Sequence, residues 1–446
     1  MAGKSYRVVI VGGGISGSAL AYVLSRYSDT GSIAVLEKYD RLAPLNSSAR
    51  NNSQTLHCGD IETNYSLEKA VQVRRQASMI EYYARQVDEN DFLFKYPKMV
   101  LAVGDEECEQ LADRHERFAE GFPYMERWDA RRIAEVEPEV ANLDGKPRTE
   151  PILASGTTED FSAVNYGSLT ESFMRSARAI NNQLDLHVNT RVERIREAEG
   201  GYRLETNRGE MQADFVVTAA GAHSLLMAHQ MGHGLDKSIL PVAGSFYYTP
   251  NILNGKVYTI QNDKLPFAAI HGDPDLVEPN KTRFGPTALI LPKLERYTGG
   301  TYLDFWRTLS LDRMVAKVFI DLFRDRDIRN YILRNMAFEI PGVRKRLFLK
   351  DVRKIVPGLR LDQLEFAHRI GGLRPQIIDK SQGKLNLGES TIQPEGQRLI
   401  FNITPSPGAT TCLGNAYRDA QIVCGQLGID FHKDAIEADL LDGRPL

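Results

Sequence analysis

Cysteine is scarce and scattered in this chain of 446 residues, which carries only Cys58, Cys108, Cys412 and Cys424. Their spacing fits neither a disulfide framework nor a zinc pattern, so the sequence predicts a reducing compartment and no metal. No run approaches about eighteen uncharged apolar residues, the length a membrane-crossing helix needs, although a protein that lies on a bilayer remains open. The basic, apolar and cleavage-site progression of a signal peptide is also missing from the start. Positive charge is not in excess: the net charge of −3 argues against a general nucleic-acid binder. Repeats and low-complexity tracts are lacking as well. What is left is an ordinary globular composition, 42% hydrophobic and 25% charged, at a length that suggests two domains.

Tyr6 to Val11 (YRVVIV) reads as a short buried strand, followed by GGGISG and a helical pattern, ALAYVLSRY. Gly12, Gly14 and Gly17 form G-x-G-x-x-G between them, with Ser16 inside the motif, and Glu37 ends the next strand, SIAVLEK. That context points to a dinucleotide. Gly12 permits the tight turn, Gly14 admits a pyrophosphate to the helix N-terminus, and Gly17 lets helix and strand pack closely. Glu37 then accepts from ribose hydroxyls and repels a 2′-phosphate.

The layout beyond Glu37 selects FAD. A long polar loop, containing NNSQTLHCGD, leads to a helical stretch from Leu67 to about Val87, and strands return only at Leu184 to Val192 (LDLHVNTRV) and Phe215 to Ser224 (FVVTAAGAHS). Such an interrupted sheet suits the long body of FAD. Near the end, LIFNITPSPGATT precedes the helical pattern CLGNAYRDAQIVCGQL. Backbone N–H groups around Ala409 to Thr411 would open that helix and stabilise negative charge on a reduced flavin.

The order of VVIVGGGISG, SARNNSQTLHCGDIETNY, TAAGAHS, LPVAGSFYY, LPFAAIHGDPD, GPTALILPKLER, GGLRPQ and TPSPGAT resembles FAD-dependent malate:quinone oxidoreductases over nearly the whole chain. It is most similar to the shorter branch of that family, and the layout is shared with glycine-oxidase-like flavoproteins. The longer branch has an NNAGTGH-like run where this chain has NNSQTLH. The resemblance implies an α/β fold: a Rossmann-like FAD-binding domain from residues 1–87, 156–232 and 366–446, with an inserted α+β substrate domain from 88–155 and 233–365. It implies FAD contacts at Lys38, Asn52, Ser53, Gln54, Thr55, Val192, Ala220, Gly221, Ser406, Gly408, Ala409 and Thr410, beside the glycine motif and Glu37.

The same resemblance places His57 beside the isoalloxazine ring, where a neutral imidazole is suited to remove the hydroxyl proton of a 2-hydroxy acid. Malate carries two carboxylates, and Arg374 in GGLRPQ offers a planar fork to one of them. His271 and Asp273 in AAIHGDPD, with Arg283 and Thr287, form a second polar constellation that reads the distal carboxylate, or in which His271 is itself the base. The activity implied is oxidation of (S)-malate to oxaloacetate, with electrons passing through FAD to a membrane quinone. Another 2-hydroxy-acid oxidoreductase, such as one for L-2-hydroxyglutarate, is the alternative; a flavin-bearing sensor without turnover needs neither the base nor the carboxylate clamp.

Leu303 to Pro357 holds thirteen Lys or Arg against seven Asp or Glu. Apolar residues fall at helical spacing in DRMVAKVFIDLF and IRNYILRNMAFEI, followed by RKRLFLK. Basic amphipathic helices bearing Trp306, Phe319, Phe323 and Phe348 suit an anionic bilayer. Arg324, Arg326, Arg329, Arg334, Arg344, Lys345 and Arg346 are the expected docking cations. A peripheral location on the cytoplasmic face of a bacterial inner membrane follows from that expectation.

Overall fold

A computed structural model describes residues 4–261, 270–386, 389–404 and 407–446. Ser406, expected beside the cofactor, lies outside the described residues.

Val8, Val9 and Ile10 are fully buried, which marks their strand, Lys4–Val11, as central in a parallel sheet. It pairs parallel with Ile33–Leu36 on one side and Gly209–Thr218 on the other, and Leu184–His187 extends the sheet beyond Ile33–Leu36. Leu399–Ile403 adds in parallel to the end of Gly209–Thr218, while the hairpin Val192–Ala198 and Gly201–Thr206 continues from its beginning. Segments from the start, middle and end of the chain thus make one sheet.

On one face the helices Ile15–Tyr27, Tyr166–Ile180 and Cys412–Leu427 pack together. Tyr83 and Phe173 meet at 4.6 Å between ring centroids and Tyr22 stacks on Phe173 at 5.6 Å; each such buried side chain contributes about 1.5 to 3 kcal/mol. On the other face Leu225, Ile239 and Ile377 pack with Val9 and Val216, and the same core reaches Phe305, Val315 and Val318 of the basic segment.

Beside two small two-stranded sheets, two further large ones follow. One has the order Leu289–Ile290, Lys237–Ala243, Leu373–Asp379, Lys384–Asn386. The other has eight strands and contains His271–Pro274 between Lys281–Gly285 and Lys256–Thr259. After residue 366 the chain therefore returns to the sheet of the inserted segments at Leu373–Asp379 before it re-enters the first sheet at Ser390–Ile392, which pairs antiparallel with Leu399–Ile403.

Two expected strands are shorter than the sequence pattern suggests. LDLHVNTRV breaks after His187 because Asn189 turns with φ of 52°, and the Glu37 backbone fastens the bend through His187 O at 2.9 Å and Thr190 N at 2.8 Å. FVVTAAGAHS stops at Thr218, and Gly221, with φ of 59°, opens the helix Ala222–Gln230.

Gly12 adopts φ of 120°, and a Cβ on Gly17 would stand 2.0 Å from the Gly12 carbonyl oxygen. Gly17→Ala is therefore expected to push the turn away from the helix, lowering stability by about 1 to 3 kcal/mol, as overpacking does, and to cut flavin retention. Thermal unfolding with and without added FAD, and the 450 nm absorbance of the purified variant, measure both effects. Wild-type values of both would show that the close approach is not needed.

Candidate active site

The loop after Glu37 folds largely by its own amides. Asn51 Nδ2 donates to Leu45 O at 3.0 Å, Asn52 Nδ2 to Asn46 O at 3.0 Å and Ser48 O at 2.8 Å, and Gln54 Nε2 to Ala49 O at 2.9 Å. These bonds stand in for the missing secondary structure. Asn52 and Gln54, expected around the ring, have their side-chain amides engaged in the loop. Thr55 bonds Tyr258 Oη at 2.6 Å through its hydroxyl, and its carbonyl accepts from Tyr166 Oη at 2.8 Å.

This scaffold holds His57. Its backbone N–H donates to Thr410 Oγ1 at 3.2 Å, and the Thr410 hydroxyl shares a 2.7 Å bond with Tyr166. The loop before the helix Cys412–Leu427 is thereby fastened to the histidine itself. On the ring, Nδ1 lies 2.5 Å from Glu62 Oε1 and Nε2 lies 3.3 Å from Ser53 Oγ. Glu62 is buried and was not singled out from the sequence.

Arg374 stands on the strand beside this loop. Asn46 brackets the preceding residue, donating to Leu373 O at 2.8 Å and accepting from Leu373 N at 3.0 Å, and Gly371 N donates to Asn51 Oδ1 at 3.2 Å. No carboxylate of the described residues pairs with the guanidinium. Burial holds its pKa below the ordinary arginine value, against the opposing influence of Tyr331 and Tyr258, yet the side chain keeps accessible surface. Tyr258 links the two sides, meeting the His57 ring edge-on at 6.4 Å between centroids.

The second constellation is closed. His271 stacks on Tyr258 at 4.3 Å between centroids and lies 3.1 Å from Asp273 through Nδ1. Lys256 reaches Asp273 at 3.1 Å, and Arg283 lies 3.8 Å from Asp273 and 3.4 Å from Asp275. Burial alone would raise the Asp273 pKa, but Lys256, His271 and Arg283 hold it well below the carboxylate range. Desolvation keeps His271 below its ordinary value, against the pull of Asp273. Thr287 Oγ1 accepts from Ser245 N at 2.9 Å. This group supports the loop: Lys256 Nζ also touches Ser53 O at 3.4 Å.

Cys58, Asp60 and Asp160 converge beneath the loop. Lys98 bridges the two carboxylates at 2.6 Å and 2.8 Å, and Arg74 forks onto Asp160 at 3.0 Å and 3.2 Å. The positions a cation would take are filled by ammonium and guanidinium groups. Burial pushes the Cys58 pKa up to about 12, so it remains a thiol.

The cofactor-facing elements suit a long dianionic ligand. Gly14 brings no capping side chain to the helix Ile15–Tyr27, and beyond Ile15 N, which Ser47 Oγ takes at 3.0 Å, its first-turn donors remain for an anion. Ser16 lies in that first turn, and Gly221 has open space at its Cα. Glu37 accepts from Gly13 N and Tyr39 N, each at 2.9 Å, which sets its carboxylate beside the turn, and Val192 begins its strand just past the bend that Glu37 fastens. Lys38, expected at the cofactor, pairs with the buried Glu295. Gly408 and Ala409 lie in the turn before Cys412, whose helix also lacks a side-chain cap.

Fold and site together define a flavin-dependent oxidoreductase, and the FAD dependent oxidoreductase family matches residues 7–417. The chain is 48% identical to a probable malate:quinone oxidoreductase of Campylobacter jejuni, covering 99% of this chain and all of that one. It is 45% identical to a malate:quinone oxidoreductase of Helicobacter pylori over 98% of each. The chain belongs to the malate:quinone oxidoreductase family. Among solved structures, the L-α-glycerophosphate oxidase of Mycoplasma pneumoniae aligns with a TM-score of 0.64 at 18% identity over 95% of each chain. The glycine oxidase of Geobacillus kaustophilus aligns at 0.61 and 20% identity, covering 99% of this chain and 96% of that one. The α/β flavoprotein fold expected from the sequence is thus shared with both.

Proposed function

We propose that the protein oxidises (S)-malate to oxaloacetate, reducing FAD and passing the electrons to a membrane quinone. The observation that carries this reading is Arg374: a deep guanidinium without a carboxylate partner among the described residues, within the electrostatic reach of Tyr258, whose ring meets His57 edge-on. A carboxylate of the substrate completes it, by two parallel charge-assisted bonds. FAD, when bound, would supply the hydride acceptor for the substrate's C2–H bond. The hydroxyl proton goes to His57 Nε2 as that bond breaks and the carbonyl forms. His271, enclosed under Tyr258, is left to steady the wall. The relatives named malate:quinone oxidoreductase support the choice of substrate and acceptor. Anaerobic mixing of the purified protein with a panel of 2-hydroxy acids tests it: malate should bleach the flavin fastest, and preference for a longer diacid would overturn the substrate. Acid precipitation should release FAD into the supernatant, whereas recovery of FMN would contradict the cofactor.

The acceptor reading rests on an outer surface. No helix of the described residues is long and apolar enough to cross a membrane. Leu303, Trp306, Leu311, Ile320, Phe323 and Met336 are nevertheless all exposed, on or between helices that also expose Arg313, Lys317, Arg324 and Arg326. Such a face suits an anionic bilayer, and docking there on the cytoplasmic side of a bacterial inner membrane would bring the flavin to a lipid-soluble quinone. Expected members that do not belong to it include Phe319, partly buried against the core. Phe348 is fully buried and stacks on Tyr247 at 3.9 Å, and Arg344 lies over the Phe366 ring at 3.9 Å. Reversing Arg313, Arg324 and Arg326 to Glu therefore makes the sharper test. At about 1 kcal/mol per cation near an anionic surface, the variant should lose most sedimentation with anionic vesicles and most quinone reduction in them, with dye-linked activity intact. Equal loss with both acceptors would make the segment structural.

A further inference from the structure

Imidazole has two nitrogens, and a base works only if the one facing the substrate is bare. In His57 the choice is visible. Nδ1 lies 2.5 Å from a Glu62 carboxylate oxygen, and an ionised carboxylate only accepts, so Nδ1 carries the proton. Nε2 is then the lone-pair atom, and its neighbour is the Ser53 hydroxyl at 3.3 Å, a group of the same chemistry as the alcohol of a 2-hydroxy acid.

Glu62 is built to do this alone. Its backbone carbonyl is held by Arg114 at 3.1 Å, and the same guanidinium binds Asp60 O at 3.1 Å and Gly59 O at 3.4 Å while lying 4.0 Å over the Phe118 ring. Its second oxygen, Oε2, is buried and has no hydrogen-bond partner among the described residues. The neighbouring acid, Asp60, is committed to Lys98 at 2.6 Å and to Tyr124 at 2.8 Å. The Glu62 side chain therefore has one hydrogen-bond partner among the described residues, the His57 ring.

We propose that Glu62 is a positioning residue for the reaction, fixing the His57 tautomer with Nε2 bare and holding the charged ring in place once it has taken the substrate proton. The inference rests on the reading of His57 as the base. The proton stays on Nε2; Glu62 takes none, and no other co-reactant is involved. The groups facing the ring are Glu62, Ser53 and the edge of Tyr258.

Glu62→Gln keeps the shape but can present either an amide donor or an acceptor to Nδ1. Anaerobic flavin reduction by malate should slow about ten- to a hundredfold, part of what a general base supplies, with the KM for malate changed less than about twofold. Histidine-labelled ¹⁵N spectra give a readout independent of turnover. In the wild-type protein the His57 signals, assigned by their loss in His57→Asn, should report a protonated Nδ1 and a bare Nε2, and Glu62→Gln should mix the tautomers. Wild-type reduction in a folded Glu62→Gln, or a wild-type spectrum with the proton on Nε2, would overturn the proposal. If Glu62→Gln does not fold, the wild-type spectrum still decides. Near-normal reduction by His57→Asn would instead remove the base reading, leaving the tautomer assignment to stand or fall by its own spectrum.

Discussion

With His57 replaced by alanine, malate should reduce the flavin at least about a hundredfold more slowly, the usual size of a lost general base. The expectation follows from the groups that remain around His57. His271 is 2% exposed, stacked under Tyr258 and bound up with Asp273, so no substrate hydroxyl reaches it without displacing the Tyr258 ring. The Ser53 hydroxyl is no base at neutral pH. Because the His57 backbone N–H, not its ring, meets Thr410, the alanine variant keeps that link between the two loops, and flavin content should stay near wild type. Stopped-flow bleaching at 450 nm measures the rate. Near-normal reduction in a flavin-loaded variant would overturn His57 as the base and move that role to another group of the site.

Arg374→Lys should show a different defect. Lysine retains the charge but loses the planar fork, and hydrogen bonds to a charged group are worth about 1.5 to 3 kcal/mol. The malate concentration giving half-maximal bleaching should rise about ten- to a hundredfold, with the limiting rate changed less. The surrounding strand is held by Asn46 through backbone bonds at Leu373, so the substitution leaves the scaffold alone. Unchanged affinity would mean that the substrate carboxylate is bound elsewhere, with Arg283 the next cation to examine. Affinity and rate falling together would place Arg374 at the reacting centre.

The parts of this arrangement that depend on near neighbours in the chain were legible in the sequence. The glycine motif, Glu37 and the helix Cys412–Leu427 carry their signals within a few residues, and the structure places the helix on the residues the pattern marked. Glu62 was not legible. It lies five residues from His57 inside a loop without periodicity, where Asp60 is an equal candidate until the path of the backbone decides between them. Tyr258 reaches Thr55 and His57 from a strand that lies 203 residues beyond Thr55 in the chain, a pairing that only the folded backbone brings about. Helical spacing likewise identified amphipathic segments after residue 303 but not which aromatic ring each would bury. Phe348 packs against Tyr247 whereas Trp306 and Phe323 stay outside.

The cofactor sheet is closed by Leu399–Ile403, which pairs with Val216–Thr218 across nearly the whole second half of the sequence. During synthesis the edge of Gly209–Thr218 must therefore wait for most of the chain to leave the ribosome, and the threonine that ties down His57 arrives later still. Long-range parallel pairing of this kind folds slowly and leaves an open strand edge meanwhile. A chain ending before residue 399 would hold its first βαβ unit but could not complete the sheet. Flavin loading is therefore expected only once Leu399–Ile403 has joined the sheet and Thr410 has met the His57 backbone.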